Sequence, residues 1–129
     1  AVWEVFFMQI RESAEDYLEA ILIIKEEKGN VRSIDLARRL EITKPSVSVA
    51  MKNLKAEGYV EVDEKGSISL LPPGREIAER TYEKHVTLRD LLVSLGVDKE
   101  TATIDACRME HVISEKSFRA LKEHGKKRG

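Results

Sequence analysis

Apolar positions fall first into helical spacing, then briefly into alternation, then back into helical spacing. Tyr17, Ala20, Ile21 and Ile24 recur every three to four residues, with Leu18 and Leu22 widening the stripe. Ser13 precedes an acidic turn, Glu15-Asp16, and Gly29-Asn30 closes the run, so a helix is expected over 13–28, with Ser13 as its cap. Ser33 then caps a short helix, 33–40, with Ile34, Ala37 and Leu40 facing inward. Glu41-Ile42-Thr43 is a three-residue break. Thr43 caps a third helix, Pro45 sits in its first turn where a missing N–H costs nothing, and Val47, Met51 and Leu54 form its apolar stripe. Gly58 stands at the usual helix-terminating position.

From Tyr59 the period changes to two. Residues 59–62 and 67–70 alternate around Asp63-Glu64-Lys65-Gly66, which predicts a β-hairpin. Pro72-Pro73-Gly74 punctuates the chain and is the candidate boundary between two units. Beyond it, Ile77, Ala78, Tyr82, His85, Leu88, Leu91, Leu92 and Leu95 describe a long amphipathic helix ending at Gly96. Asp98 caps a further helix to about Val112, Ser114 caps a last one over 115–123, and a basic tail follows. The expected fold is mainly α with a small β-hairpin: a winged helix-turn-helix over 12–72, an all-α dimerisation domain over 73–124, and a tail over 125–129. Residues 1–11 read as an appended remnant or an extension. Ala1 to Phe7 carry Trp3, Phe6 and Phe7, three of only seven aromatics, and lack the basic start and cleavage site of a signal peptide.

Composition narrows the class. The longest apolar run, Ala20 to Ile24, is far short of the roughly 20 residues that span a bilayer, so no membrane partner is expected. One cysteine, Cys107, excludes an internal disulfide framework and fits the reduced cytoplasm. A net charge of −1 argues for no partner by itself, but its distribution does. Residues 31–56 carry +4, leaving −5 on the other 103 residues. A basic patch on an acidic protein is the footprint of a phosphate-binding face. Helix, turn, helix and hairpin in this order form a DNA-binding arrangement. On the third helix and its surroundings, Thr43, Pro45, Ser46 and Ser48 are expected near bases or adjoining phosphates. Lys44, Lys52, Arg38 and Arg39 are expected on phosphates, as is Lys65 at the tip of the wing.

A second chemistry lies further on. Cys107, Glu110 and His111 are spaced i, i+3 and i+4, so thiol, carboxylate and imidazole leave one helix face. His85 interrupts an apolar stripe, and Asp16 and Glu19 share a face of the first helix. Each feature alone has a plainer reading: a core histidine, solvated acids, a small buried thiol. Spacing leaves both readings open. The absence of HExxH argues against a zinc peptidase.

Three segments carry a resemblance: Glu12 to Ile21, the helix start Thr43-Lys44-Pro45-Ser46-Val47-Ser48, and Asp105-Ala106-Cys107-Arg108-Met109-Glu110-His111-Val112-Ile113-Ser114. Over about residues 12–122 the chain resembles the diphtheria toxin repressor family of metal-dependent transcriptional repressors. The resemblance implies a DNA-binding domain followed by a helical dimerisation domain, and a homodimer on double-stranded operator DNA. It implies the metal ligands Asp16, Glu19, His85, Cys107, Glu110 and His111. Aspartate at Asp16, where the iron branch has methionine, follows the family's manganese branch, whereas Cys107 follows the iron branch. The iron branch's ancillary site lacks two ligands, because Arg89 and Thr103 occupy their positions. The chain also ends before a third, SH3-like domain, which matches the short two-domain manganese type.

Asp16, Glu19 and Glu110 are hard oxygen donors that suit Mn(II) and also Fe(II). Cys107, if its thiolate rather than its backbone carbonyl coordinates, also suits Fe(II), Zn(II) or Co(II). The expected function is therefore repression of metal-uptake genes when Mn(II), or alternatively Fe(II), is bound. The alternative is a metal-independent winged-helix regulator that senses an organic ligand. No enzyme is expected, because six protein ligands leave little open coordination and no nucleophile or base stands beside them.

Overall fold

The computed structural model describes residues 2–128, with side chains described from 14 to 127. Two compact units divide the chain, residues 1–79 and 80–129. Among the described residues there are six helices and one two-stranded sheet.

The first unit opens with α1, Val2–Lys28. The helix runs through Ser13, so the cap expected there does not exist: Ser13 has helical neighbours on both sides. The origin of Ala1 to Phe7, and what their side chains do, lies outside the described residues. The apolar stripe of α1 behaves as its spacing requires, with Leu18, Ala20, Ile21, Leu22 and Ile24 all buried. The second helix, α2 (Ser33–Leu40), begins one residue earlier in function than expected. Arg32 is its N-cap, and its backbone N–H donates to Asp35 Oδ2 at 2.9 Å, so an acid reaching back replaces the Ser33 hydroxyl. Its inward residue is Leu36, fully buried, whereas Ile34 is exposed. An eight-residue helix has a narrow buried face, and Leu36 with partly buried Ala37 and Leu40 fills it.

Glu41 closes α2 in the left-handed region at φ 54°, its N–H bonded to Ala37 O, and turns the chain into α3 (Lys44–Ala56). Thr43 is the cap expected there: its Oγ1 accepts the Ser46 N–H at 3.3 Å. Val47, Met51 and Leu54 are the buried residues of α3. The hairpin follows, β1 (Val60–Val62) antiparallel to β2 (Ile68–Leu70), with Val60 opposite Leu70 and Val62 opposite Ile68. Asp63 Oδ1 accepts the N–H groups of both Lys65 and Ser67, which shapes the turn, and Gly66 supplies the positive φ of 83°. The hairpin is bonded to the rest of its unit through Ile68 N–H to Val31 O, at 2.8 Å.

Pro72 does not break the chain but starts a helix, α4 (Pro72–Ser94). Two prolines lack N–H groups that a first turn would leave unbonded in any case. Gly74 lets this turn lie against the hairpin, since a Cβ there would sit 2.1 Å from Tyr59 O. The division between units falls within α4, after Glu79.

In the second unit, α5 (Lys99–Val112) is capped by Asp98, whose Oδ2 accepts the Thr101 N–H at 2.9 Å. That bond holds the Asp98 carboxyl below its usual range. The last helix, α6 (Glu115–Arg128), carries the Ser114 cap expected of it, but continues through the segment expected to be a loose tail. Lys84 on α4 pairs with Glu115 at 2.7 Å, which lowers the glutamate pKa, and its ammonium stands 5.9 Å from the Phe118 ring. Glu83 pairs with Lys122 across the same two helices. Leu88, Ala102, Ala106 and Phe118 are this unit's buried apolar residues.

Candidate metal centre and DNA-facing surface

In the second unit, Ala102 and Ala106 bury the inner side of α5. One turn on from Ala106 comes Glu110, 1% exposed. A carboxylate taken from water needs compensating charge or hydrogen bonds. Here its Oε2 lies 3.1 Å from His85 Nδ1, and its Oε1 lies 3.4 Å from His111 Nε2. His85 is brought there from α4. Cys107 and His111 come from α5 itself, three residues before Glu110 and one after. One donor atom each of Cys107, Glu110 and His111 lies within 4.8 Å of the other two. The structure thus brings four of the six expected ligands together inside one unit. A hard oxygen, a borderline nitrogen and a sulfur within that distance, with the His85 nitrogen 3.1 Å from the same carboxylate, form a donor set that fits a first-row divalent ion.

The remaining two expected ligands are in the first unit. Asp16 is half-buried and Glu19 is 8% exposed, one helical step apart on α1. Leu18 and Ile21, both buried in the core, fix the rotation of that helix and with it the direction of the two acids.

The basic face is as exposed as a DNA-binding surface must be. Arg38, Arg39, Thr43, Lys44, Pro45, Ser46, Ser48, Lys52 and Lys65 all lie on the surface of the first unit. Three of them also have intramolecular work. Thr43 and Ser46 share a 2.9 Å hydroxyl hydrogen bond as part of the α3 cap, and Arg39 pairs with Glu27 at 3.5 Å. A solvent-exposed pair of that kind contributes about 0–1 kcal/mol, little enough to be exchanged for a phosphate.

Three residues of this surface are missing from the DNA contacts expected from the sequence. Arg32 lies against the wing turn, its guanidinium 3.4 Å from where a Gly66 Cβ would be. Val49 is 61% exposed, and Val49 and Asn53 line a shallow hollow with Pro45, Ser46 and Ala50. The local charge count flagged Arg32. Val49 lies off the Val47, Met51 and Leu54 stripe, and that spacing is the signal that could have marked it as outward-facing.

Two family models cover nearly the whole chain. Residues 9–68 match the iron-dependent repressor N-terminal DNA-binding domain, and residues 72–127 match the iron-dependent repressor metal-binding and dimerisation domain. The transcriptional regulator MntR of Escherichia coli is 33% identical over 128 residues, covering 95% of this chain and 83% of the relative. An HTH-type transcriptional regulator of Methanocaldococcus jannaschii is 38% identical over 113 residues, covering 86% of this chain and 90% of the relative. Among solved structures, IdeR of T. acidophilum matches with a TM-score of 0.75 and 29% identity, over 85% of this chain and 52% of that one. A manganese-dependent transcriptional repressor in complex with manganese matches with a TM-score of 0.79 and 26% identity, over 86% of this chain and 51% of that one. The chain therefore spans about half the length of the solved chains it resembles.

Proposed function

We propose, from the premise that the chain belongs to the iron-dependent repressor family, that it is a metal-dependent transcriptional repressor. It binds operator DNA as a homodimer when a divalent ion is bound, and controls metal-uptake genes. The observation that carries this reading is the buried Glu110 carboxylate flanked by His85 and His111, with the Cys107 thiol in reach. When bound, the ion would supply positive charge beside the buried Glu110 carboxylate. Glu110, His85, His111 and the thiolate of Cys107 would hold it. Asp16 and Glu19, hard donors sharing one face of α1, complete the ligand set.

Mn(II) is the proposed physiological metal. Three carboxylates favour a hard ion, and both MntR of E. coli and a manganese-dependent repressor are among the similar proteins. Fe(II) is the alternative, and Zn(II) or Co(II) are expected to bind in vitro, because later first-row ions bind such donors more tightly. The protein acts by binding and catalyses nothing. Among the described residues no helix is long and apolar enough to cross a membrane, and the proposed site of action is the cytoplasm, where the DNA is.

If the ion binds the DNA-competent state more tightly than the other, DNA affinity and metal affinity are thermodynamically linked, each favouring the other by the same factor. Couplings of this kind are typically about 5- to 150-fold. The test is a titration of the full chain against a duplex recovered from a random library, with Mn(II), anaerobic Fe(II), Zn(II), or chelator. A Mn(II)-dependent gain in affinity of at least about tenfold is expected. Equal affinity with chelator would refute metal dependence and favour a winged-helix regulator that senses an organic ligand.

A further inference from the structure

The face of α3 turned furthest from the core is not polar. Successive residues of an α-helix are about 100° apart. Val47, Met51 and Leu54 point into the core of the first unit. Val49, two residues after Val47, therefore projects about 200° away from it, to the crown of the outward face. Asn53 follows four residues later on the same face, and Pro45 precedes by four. Ser48 and Lys44 fall toward the flank. Ser46 and Ala50, also beside Val49, are too short to screen it, and together with Pro45 and Asn53 they border the hollow it shares.

A single exposed valine ordinarily needs no explanation. This one stands in the middle of the basic region of the chain, with Lys52 beside it and Arg38, Arg39 and Lys44 also exposed. Charge complementarity therefore commits the hollow to a polyanion. A phosphate has no use for an isopropyl group, but the 5-methyl group of thymine in the major groove does. The exposed carboxamide of Asn53 matches the N6 and N7 edge of adenine, the pairing to which asparagine is geometrically suited. Residues at i and i+4 have Cβ atoms about 6 Å apart, against a rise of about 3.4 Å per base along a strand. The two side chains therefore reach base pairs one or two steps apart.

We propose that Val49 and Asn53 are specificity-determining residues, Val49 packing on a thymine methyl and Asn53 bonding an adenine one or two base pairs away in each operator half-site. This rests on the repressor reading above and deepens it. Thr43, Lys44, Ser48 and Lys52 then position the helix, while Val49 and Asn53 choose the sequence.

The test uses the full chain loaded with Mn(II). A preferred duplex is recovered from a random library, then each thymine is replaced by deoxyuridine, which lacks only the methyl, and each adenine by 7-deazaadenine, which lacks N7. Wild type should lose about fourfold in affinity at one thymine per half-site, and about fivefold or more at a neighbouring adenine. Val49→Ser, a helix-tolerated change at an exposed position, should lose the uracil sensitivity at that thymine alone. Asn53→Ala should lose the 7-deaza sensitivity alone, and both should keep their affinity for unrelated duplex. Sensitivity maps unchanged in both variants would overturn this proposal while leaving the repressor reading intact. If no sequence is enriched by wild type in Mn(II), the repressor reading fails, and the base-reading role fails with it.

Discussion

Asp35 shows how much one side chain decides. Its Oδ1 receives Lys28 Nζ from α1 at 2.5 Å, and its Oδ2 receives the Arg32 N–H at 2.9 Å. It therefore caps α2 and ties it to α1 at once. The Lys28 ammonium, and next the Arg32 N–H, hold its carboxyl below the usual range. A carboxyl with a lowered folded pKa contributes fully above its unfolded value of about 3.9, and its contribution is lost as pH falls through the lower folded value. Asp35→Ala should cost about 1–2 kcal/mol at pH 7. In urea titrations, that deficit should shrink steadily below about pH 4. A deficit independent of pH would mean that packing, not charge, is what Asp35 supplies. Two further side chains separate metal selectivity from DNA affinity. Asp16→Met removes a hard carboxylate and installs a soft thioether, so DNA binding should lose more of its response to Mn(II) than to Fe(II); equal loss for both metals would remove Asp16 from the selectivity argument. Lys52→Ala should weaken binding to all duplexes alike and lower the log–log salt dependence by about one unit. An unchanged slope would take Lys52 off the phosphates.

At the scale of elements, the join between the hairpin and α4 is the tightest constraint. Leu71 N–H bonds Tyr59 O at 2.9 Å, and the absent side chain of Gly74 leaves that same carbonyl room. Gly74→Ala would press a methyl into backbone that has no rotamer to yield, at an expected cost of about 1–3 kcal/mol. Gly125→Ala is the matched control. That glycine is also helical, in α6, and a Cβ there meets nothing within 4 Å, so the change should be neutral or stabilise by up to about 1 kcal/mol. Denaturant midpoints of the two variants should move in opposite directions, or only the first should move. The same join explains why Pro72-Pro73-Gly74 marks a helix start: each of the three residues suits a first turn packed on a strand.

At the scale of the whole molecule, the second unit presents apolar surface that a further contact would cover. Val93, Leu95, Ile104 and Val112 are large apolar residues left 43–59% exposed there. Self-association through residues 75–122 is expected to cover them, in keeping with the match to a dimerisation domain. Sedimentation should give a dimer at micromolar concentration, and Leu95→Lys with Ile104→Lys should shift it toward monomer. Metal belongs to this scale too. A ligand that binds only the folded state stabilises it by about 2.7 kcal/mol at one hundred times its Kd. Mn(II) should therefore raise the wild-type melting temperature and chelator should reverse it. Glu110→Gln should abolish that shift while sedimenting as a dimer; a Mn(II) shift that survives in Glu110→Gln would place the bound metal elsewhere.

The amino-acid sequence determined whatever depends on neighbours along the chain. Thr43, Asp98 and Ser114 are caps because their oxygens reach backbone N–H groups three residues on, and Gly66 turns the hairpin because only local backbone geometry asks for it. The i, i+3, i+4 spacing of Cys107, Glu110 and His111 puts them on one helix face by the same local rule. Tertiary structure decided the rest. Ser13 lost its role because helix continues on both sides of it, and a potential cap is only a cap if the chain arrives there unwound. Ile34 and Leu36 exchanged places because burial depends on which neighbour a short helix meets. Spacing already set Val49 off the Val47, Met51 and Leu54 stripe of α3, but only the fold left it 61% exposed with nothing packed over it. His85 shares a run of apolar positions with Leu88, and spacing alone could not tell a core histidine from a ligand; it is the fold that sets its Nδ1 3.1 Å from a buried carboxylate twenty-five residues away. Charge and spacing are local properties of a chain, whereas burial and the meeting of distant side chains exist only after it has folded.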